Sequence, residues 1–437
     1  MHIVKRDNRY VLYNERTLEF YNVNEQLGEK LSKLSDKEID EIIESDRSNE
    51  ELASTFNTDF ERCERLVMVV SQDCNLACKY CYAQQGTYGE ECEKVMSLDT
   101  LKNAVKYTLR KYPKGINKIQ FFGGEPLINI DLIEEGCAWV KKYFKEQKLN
   151  VPMFTIVTNG TLINDRVIKL FNKYKFVVTI SLDGNKHTND INRVFKYGEN
   201  SVFDTVEKNI KLLNKKRKFL LAIEITVDKE NINQFIDNAG KLLDIEAIHK
   251  LKPETIHIVP AIWSEPCDRY NNEYIEELKK YFDSVTKFSI DTMTTQDKMA
   301  IMKVADMVQC LIKRAKKKYL CGAGITELSV NVKGDVYPCF AFIGSDEMLM
   351  GNVNDNSLDY RYEDVLSKFK KNTYDNLESC KDCWANGMCS NCIGNAFLVN
   401  GDISKPLPEL CEVQKTQLER TLIECNRIIK SGEKFGK

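Results

Sequence analysis

Short apolar strands alternate with amphipathic helices through the middle of the 437-residue chain. The strands are brief runs rich in Val, Ile and Phe that end at turn residues, whereas the helices repeat apolar residues every three or four positions. Helical periodicity is clear, for example, at 97–111 and 201–215. The pattern predicts six strands, at 66–71, 118–122, 153–158, 176–182, 220–227 and 255–260. Six β/α repeats predict an α/β fold with a parallel, partly open barrel, whose active site lies at the C-terminal ends of the strands.

The N-terminal unit, residues 1–62, has a different pattern. Its apolar runs and turn residues predict a short β-hairpin followed by two helices, at 10–13 with 17–21, 24–34 and 36–45. Ser35 and Glu38 have the spacing of a capping box at the start of the second helix. We therefore expect a small α+β domain ahead of the barrel.

Charge and composition exclude several classes of protein. Lys and Arg total 63 and Asp and Glu total 65, so no overall basic field favours nucleic acid or an anionic membrane surface. No apolar run has the length of a membrane span, and the first residues lack a signal-peptide core, so we expect a cytoplasmic protein. The 16 cysteines are not expected to form disulfides in that reducing compartment. Five isolated ones are predicted to be ordinary buried apolar residues: Cys63, Cys92, Cys137, Cys267 and Cys425.

The other cysteines are clustered, which favours metal binding. Cys74, Cys78 and Cys81 follow the first barrel strand with C-x3-C-x2-C spacing. Three thiolates fill three corners of a four-iron cubane cluster and leave one iron open for chemistry. The alternative is a zinc site, but zinc needs four ligands at paired spacings and no fourth Cys or His follows closely.

This spacing, with the aromatic residue Tyr80 before the last cysteine, resembles the signature of the radical SAM superfamily. The resemblance implies a partial (β/α)6 TIM-type barrel over residues 63–260 and an oxidoreductase activity. It further implies that S-adenosylmethionine chelates the open iron through its amino and carboxylate groups. One electron from the [4Fe-4S] cluster then cleaves it to methionine and a 5′-deoxyadenosyl radical. Cys74, Cys78 and Cys81 are thus expected to be both the metal ligands and the catalytic centre.

Further motifs stand at the ends of later strands. Gly123-Gly124-Glu125-Pro126 follows the second strand; a turn alone explains it, but glycines also let a backbone approach a ligand closely. Thr158-Asn159 follows the third strand, where the alternative is again a turn. By resemblance, Glu125 accepts from the cofactor's ammonium and Arg193 pairs with its carboxylate, which suits a guanidinium because two parallel hydrogen bonds form. The full predicted cofactor site is Tyr80 at the adenine, Ser181 at the ribose, Gly123, Gly124, Glu125, Pro126, Thr158, Asn159, Asp183 and Arg193.

Seven more clustered cysteines follow a predicted helical bridge over residues 261–320. Cys321 and Cys339 have C-x12-G-x4-C spacing around a predicted hairpin that turns at Lys333-Gly334. The remaining five are Cys380, Cys383, Cys389, Cys392 and Cys411. Paired C-x2-C spacings also suit zinc knuckles, which are the alternative for this region.

The order of these cysteines resembles the SPASM domain, expected at 321–412 before a C-terminal helix at 413–437. That resemblance implies two auxiliary clusters and three [4Fe-4S] clusters in all. It assigns the outer cluster to Cys380, Cys383, Cys389 and Cys411, and the inner cluster to Cys321, Cys339 and Cys392. The x2 spacing between Cys389 and Cys392 departs from the x3 of several relatives. Cys310 is the candidate for a fourth inner ligand; without it the inner cluster has an open iron, where a substrate thiolate can bind.

SPASM enzymes mostly modify peptides. In the anaerobic sulfatase maturases, which make formylglycine, an aspartate is expected directly after Cys339, where this chain has Phe340. The missing carboxylate and the three-cysteine inner cluster favour the branch that forms Cys sulfur-to-carbon thioether cross-links in ribosomally made peptides, the sactipeptides and ranthipeptides. The N-terminal unit resembles a leader-peptide recognition element, the RRE, although a structural cap on the barrel is the alternative. The expected partners are a Cys-rich precursor peptide with a leader and an electron donor such as flavodoxin or ferredoxin.

Two other functions stay open at this point. One is carbon–carbon cross-linking, or another peptide oxidation, on the same scaffold. The other is a non-catalytic iron–sulfur protein that binds a peptide. The Gly123–Pro126 motif and Arg193 count against the second, because a pure electron carrier needs no cofactor pocket.

Overall fold

A computed structural model describes residues 1–43, 51–90, 94–237, 239–261, 270–295, 299–355 and 360–432. Its centre is a parallel barrel sheet in which each strand pairs with the next in sequence. The six strands are β5 (Arg65–Ser71), β6 (Lys118–Gly123), β7 (Met153–Thr158), β8 (Val177–Ser181), β9 (Leu220–Val227) and β10 (Thr255–Pro260). All six lie where the apolar runs predicted them, which confirms the α/β fold and the open barrel.

Both edges of the six-stranded unit are extended. The short parallel strand β11 (Ala300–Ile301) pairs with β10, and β13 (Glu327–Val330) pairs in parallel with β5. Beyond β13 come β14 (Asp335–Tyr337) and β15 (Gly351–Asn352), both antiparallel, so the described part of this sheet has ten strands. The predicted hairpin at Lys333-Gly334 is confirmed as the β13–β14 connection, in which Gly334 has a φ of 93°.

Helices cover the outer face of the barrel. They are α3 (Leu98–Lys111), α4 (Ile130–Glu146), α5 (Asp165–Tyr174), α6 (Lys186–Asn192), α7 (Val202–Lys216) and α8 (Leu243–His249). The caps follow the sequence: Ser97 and Ser201 accept from the third backbone N–H of their helices, and Asn164 accepts from Arg166 and Val167. These helices bring each strand back to the same edge, so the polar loops after the strands meet at one end of the barrel.

The two faces of the barrel strands differ in polarity. Residues such as Phe121, Ile156, Ile180 and Ile223 are buried in the main apolar core, on the face that packs against the helices. The alternate positions face the barrel lumen and include polar residues: Gln120, Thr155, Thr179, Ser181, Glu224, Thr226 and His257. A two-residue period therefore separates an apolar shell from a polar lumen.

The N-terminal unit is an antiparallel sheet of β1 (His2–Arg6), β2 (Arg9–Asn14) and β3 (Glu19–Val23) with helices α1 (Glu25–Leu31) and α2 (Asp36–Ile43). The predicted hairpin is β2–β3, whereas β1 was missed because its sequence, His-Ile-Val-Lys-Arg, is half charged. The capping box is confirmed, since the Ser35 N–H donates to Glu38 Oε2 at 2.7 Å and the Glu38 N–H donates to Ser35 Oγ at 3.3 Å.

The C-terminal region packs against both the barrel and the N-terminal sheet. It contains α9 (Asn272–Met293), α10 (Met302–Lys313), α11 (Arg361–Lys371), α12 (Ile393–Asn400) and α13 (Pro408–Ser431), and the short strand β12 (Ala315–Lys316), which pairs with β4 (Ser54–Thr55). Helix α13 begins at Pro408, five residues before the predicted start, so Cys411 lies in its first turn. It packs against α9 and against all three strands of the N-terminal sheet.

Of the isolated cysteines, Cys63, Cys137 and Cys425 are buried in the apolar core as predicted. Cys92 and Cys267 lie outside the described residues. All fourteen cysteines in the described ranges are free thiols. None of the described helices is both long enough and apolar enough to cross a bilayer.

Arg420 on α13 makes polar contacts with both α9 and the N-terminal sheet. Its guanidinium donates to both carboxylate oxygens of Asp283 on α9, at 3.0 and 2.7 Å, and to Asp7 in the β1–β2 turn at 2.5 Å. The side chain is 6% exposed, so water cannot replace these partners easily.

We expect Arg420→Ala to lower the free energy of unfolding by about 3 kcal/mol, because it removes both hydrogen bonds from the partly buried Asp283 carboxylate and leaves it only Arg6, 3.9 Å away. Chemical denaturation measures the change. The control is Lys142→Ala, which breaks an exposed pair with Glu146 on α4 and should cost less than about 1 kcal/mol. Equal stability of the two variants would contradict this role for Arg420.

Candidate active site

The cysteine loop after β5 is built against the Gly123-Gly124 turn after β6. The Gly124 N–H donates to Ser71 O and the Glu125 N–H donates to Asp73 O, both at 2.8 Å. A Cβ on Gly124 would lie 2.3 Å from Asp73 O, and one on Gly123 would lie 2.1 Å from Ser71 O. Both glycines are therefore required by contact with the loop's own backbone. From the sequence, a turn and a close approach to a ligand were both open.

Glu125 is fully buried and holds the ends of two strands together. Its carboxylate accepts from the Thr158 hydroxyl at 2.7 Å, the Asn159 N–H at 2.7 Å and the Leu127 N–H at 3.0 Å. Burial raises its pKa to about 7, although the three donors act in the opposite direction. Its predicted contact with a cofactor ammonium stays a prediction, and its observed partners make it a structural brace.

Thr158 and Asn159 also belong to this brace. The Asn159 side-chain amide donates to Asn75 Oδ1 at 2.9 Å and lies 3.8 Å from Cys74 Sγ. Asn75 in turn donates to Thr161 Oγ1 at 2.8 Å. The turn after β7 thus fixes the first part of the cysteine loop, and the predicted role of Thr158 and Asn159 in the cofactor site stays a prediction.

The cysteine loop has a second neighbour that the sequence did not reveal, the segment 192–196 after α6. Ala77 and Lys79 donate backbone hydrogen bonds to Val194 O and Asn192 O, at 2.8 and 3.0 Å. The Lys196 N–H donates to Asn75 O at 3.0 Å. These contacts place Arg193 beside Cys78, whose pKa its positive charge lowers in opposition to burial.

Arg193 forms a buried ion pair with Asp183. Its Nε and Nη2 donate to the two carboxylate oxygens at 3.0 and 3.1 Å, and Asp183 also accepts from the Tyr80 hydroxyl. The Tyr80 ring lies under the guanidinium, 5.5 Å from ring centre to Cζ. The pairing of Arg193 with the cofactor carboxylate, and the contact of the Tyr80 ring or backbone with adenine, stay predictions; in the structure the partner of Arg193 is Asp183. Ser181 lies at the end of β8 beside this cluster.

The three thiols of the loop lie within this frame. Burial raises the pKa of Cys74 to about 12 and that of Cys78 to about 11. Cysteine binds metal as a thiolate, so metal binding at this loop must release protons. The Leu76 N–H points to Cys74 Sγ at 3.4 Å and the Gln85 N–H points to Cys81 Sγ at 3.3 Å, which suits anionic sulfur.

The electrostatic neighbours of the C-terminal cysteines fall into two groups, and their assignment to two clusters stays a prediction. Burial and the thiolates of Cys389, Cys380 and Cys383 together raise the pKa of Cys411 to about 12, so these four lie close together. The charges of Cys392 and Cys339 likewise raise the pKa of Cys321, so these three thiols also lie close together. The residues Cys321 and Cys392 are exposed, yet surrounding atoms raise the pKa of both thiols. That combination is typical of side chains that face an enclosed space, which fits a bound cluster.

Cys310 lies apart from the inner group. It is buried on α10, where its charged neighbours are Lys317, Asp306 and Lys313. Its thiol also lies near the Tyr13 hydroxyl of the N-terminal sheet. No three Cys, His, Asp or Glu side chains of the described residues converge on a single-ion site. Ligands of a cubane each bind a different iron, so a cluster does not require that convergence.

An aromatic cluster separates the two cysteine systems. Phe340 packs on Phe122 of β6, with 4.6 Å between ring centres, and Tyr82 lies 6.2 Å from Phe340. The Tyr88 ring packs edge to face against the Tyr82 ring, with 6.2 Å between ring centres. The charges of Cys81 and Cys339 contribute to the raised pKa of both tyrosines. The position after Cys339 therefore holds an aromatic ring that packs on Phe122.

The lumen contains a row of polar side chains that the sequence pattern did not predict. Ser181, Glu224 and His257 are register partners on β8, β9 and β10. Burial raises the pKa of Glu224 and lowers that of His257. The available signal was a charged residue inside the otherwise apolar run Leu-Leu-Ala-Ile-Glu-Ile-Thr-Val.

Two family models match the chain. The Radical SAM superfamily model matches residues 68–242, and the SPASM model, an iron-sulfur cluster-binding domain, matches residues 321–384. The chain is therefore a radical SAM enzyme with a SPASM domain. These domains imply S-adenosylmethionine and [4Fe-4S] clusters as cofactors. The SPASM match ends before Cys389, Cys392 and Cys411, so their assignment to clusters stays a prediction.

Several relatives cover most of the chain. A cysteine-type anaerobic sulfatase-maturating enzyme of Clostridium novyi is 28% identical over 327 residues, which are 73% of this chain and 84% of that protein. The radical SAM cyclopropyl synthase TigE of Paramaledivibacter caminithermalis is 25% identical over 409 residues, 87% of this chain and 78% of its own.

Solved structures share the fold at lower sequence identity. Native anSMEcpe with bound AdoMet has a TM-score of 0.69 at 21% identity, covering 84% of this chain and 98% of that one. Streptococcus suis SuiB bound to the precursor peptide SuiA has a TM-score of 0.53 at 17% identity, covering 91% and 96%.

The buried Glu125 brace yields a test of stability. We expect Glu125→Gln to lower the free energy of unfolding by about 1–3 kcal/mol at mildly acidic pH, because its amide NH2 would face a backbone N–H. A folded-state pKa of about 7, above the usual value of 4.5, means that the wild type loses stability as the pH rises between these values. The deficit of the variant should therefore shrink over that range in denaturation curves. A deficit that grows with pH would contradict a raised pKa.

Proposed function

We propose that this enzyme is a peptide maturase that joins cysteine sulfur to carbon in a ribosomally made, Cys-rich precursor peptide, the chemistry of sactipeptides and ranthipeptides. The observation that carries the proposal is the inner group of Cys321, Cys339 and Cys392, which has no fourth cysteine beside it in the described ranges and is followed by Phe340. Three ligands on a cubane leave one iron free for a peptide thiolate.

The roles of the residues follow from their positions. Cys74, Cys78 and Cys81 would hold the first cluster, and Ser181, Arg193 and the Tyr80 backbone would hold S-adenosylmethionine beside it. When bound, these groups supply a 5′-deoxyadenosyl radical that takes a hydrogen atom from carbon, and the auxiliary clusters accept the surplus electron. The lumen positions the peptide and the aromatic cluster excludes water and other hydrogen donors from the space between.

The N-terminal unit is proposed to bind the leader of the precursor. In the described residues the edges of its sheet, β1 and β3, have no strand partner, and Tyr21 on β3 is exposed. The unit also contacts the C-terminal region, since His2 stacks on Trp384, next to Cys383, with ring centres 4.0 Å apart. Leader binding at this sheet would therefore place the core peptide on the same side as the auxiliary cysteines.

Carbon–carbon bond formation is the second candidate. The relative named as a cyclopropyl synthase aligns over 409 residues, 87% of this chain, against 73% for the Clostridium novyi sulfatase-maturating enzyme. Formylglycine formation has less support, because an aromatic residue packed on Phe122 stands where the sulfatase maturases are expected to have their acid.

The proposal is tested by anaerobic reconstitution with S-adenosylmethionine, dithionite and a short Cys-rich peptide encoded beside this gene. We expect 5′-deoxyadenosine and a peptide that has lost two hydrogens per link. Tandem mass spectrometry after thiol alkylation distinguishes the candidates, since a thioether removes one alkylatable cysteine and a carbon–carbon bond removes none. Absence of 5′-deoxyadenosine would contradict any radical reaction, and full alkylation of the product would exclude the thioether.

The cluster assignment is tested by iron content. Three cubanes give about twelve irons per chain, and Cys339→Ala should lose about four of them. Cys310→Ala is the matched control and should leave the iron content unaltered, because Cys310 lies apart from the inner group. Loss of iron in Cys310→Ala would identify Cys310 as the fourth ligand of the inner cluster. That cluster would then have no open iron for a peptide thiolate, and this result would contradict the proposed thiolate site.

A further inference from the structure

Glu224 is a lumen carboxylate that none of the described side chains or backbone groups engages. Its neighbours Ile223 and Ile225 are fully buried in the core on one face of β9, so its side chain faces the lumen on the other. The residue is half-buried, and within the described ranges no hydrogen bond or ion pair reaches its carboxylate. A carboxylate in that setting has an incomplete set of partners, which a bound substrate can complete.

Its position is between the two cysteine systems. Ser181 on β8 is its register partner on the side of the cofactor motifs, and His257 on β10 is its partner on the other side. The charges that act on it belong to Arg193 and Asp183, at the cofactor end, and to Arg65. Arg65 is bound to Glu327 at 2.6 Å and lies near Cys339 and Cys321 of the inner group. Glu224 is thus within electrostatic reach of both ends of the lumen.

The other carboxylates around the lumen already have partners. Asp183 is bound to Arg193, Tyr80 and the Thr226 N–H, and Glu327 is bound to Arg65. Glu125 has its three donors, and Asp228 accepts from Asn192 and the Asn231 N–H. Phe340 occupies the position after Cys339, so an acid is absent there. Among the carboxylates named around the lumen, Glu224 is the one that no described donor reaches, and the neutral imidazole of His257 lies beside it on β10.

We propose that Glu224 is the proton acceptor of the reaction. The inference rests on peptide oxidation as proposed above, and it holds for either product, since both remove one hydrogen atom, one proton and one electron. In thioether formation, a C–H bond breaks and its hydrogen atom goes to the 5′-deoxyadenosyl radical. The cysteine S–H bond breaks and its proton goes to the Glu224 carboxylate. The C–S bond forms, and the surplus electron reduces an auxiliary [4Fe-4S] cluster.

The test is Glu224→Gln, which keeps the shape of the side chain and removes its basicity. We expect 5′-deoxyadenosine formation and the affinity for a fluorescent precursor peptide to be unchanged. The yield of cross-linked peptide per 5′-deoxyadenosine should fall by about 10²- to 10⁴-fold, the usual contribution of a general base. Glu224→Asp, which retains a carboxylate, should recover part of the yield. Iron content and circular dichroism verify that each variant is folded and loaded.

The matched control is Glu246→Gln on α8, outside the barrel, which should behave as the wild type. A Glu224→Gln enzyme that makes as much product per 5′-deoxyadenosine as the wild type overturns this inference and leaves the proposed function intact. Loss of peptide affinity without a change in that ratio assigns Glu224 to binding and also overturns it. A wild-type enzyme that makes 5′-deoxyadenosine but no product from the peptide overturns the proposed function, and this inference with it.

Discussion

The backbone contact between the cysteine loop and Gly123-Gly124 is the constraint on which the site depends. Ser71 O and Asp73 O come so close to these glycines that neither position has room for a Cβ. Around this contact, Glu125 joins the ends of β6 and β7, and the 192–196 segment pairs with the loop from the other side. The three thiols are thus held by parallel strands and by rigid turns rather than by a free loop, which suits a centre that must position a cofactor accurately.

The rest of the molecule encloses the path from that centre to the second cysteine system. Polar residues line the lumen, whereas aromatic rings from Phe122, Tyr82 and Phe340 stand between Cys81 and Cys339. The N-terminal sheet is fixed to this frame by α13 and by the stacking of His2 on Trp384. A radical enzyme needs such enclosure because stray hydrogen donors quench the reactive intermediate, so the packing has a chemical as well as a structural role.

The sequence predicted most of the barrel, because apolar runs of strand length are a local signal. The cysteine spacings are equally local, and the cluster assignment drawn from them stays a prediction. The sequence pattern missed β1, whose residues are half charged, and it placed the start of α13 five residues late. It did not reveal that Asp183 pairs with Arg193 and accepts from the Tyr80 hydroxyl. Such pairings, like the row of Ser181 and Glu224, depend on strand register and are invisible in a linear pattern.

In the proposed reaction, the lumen presents a carbon atom of a peptide to the radical formed at the cysteine loop. The most direct measurement uses the precursor peptide prepared with fully deuterated amino acids, turned over anaerobically, with mass spectrometry of the 5′-deoxyadenosine. We expect one deuterium in the 5′-deoxyadenosine formed alongside the modified peptide. Modified peptide that forms together with unlabelled 5′-deoxyadenosine would contradict it.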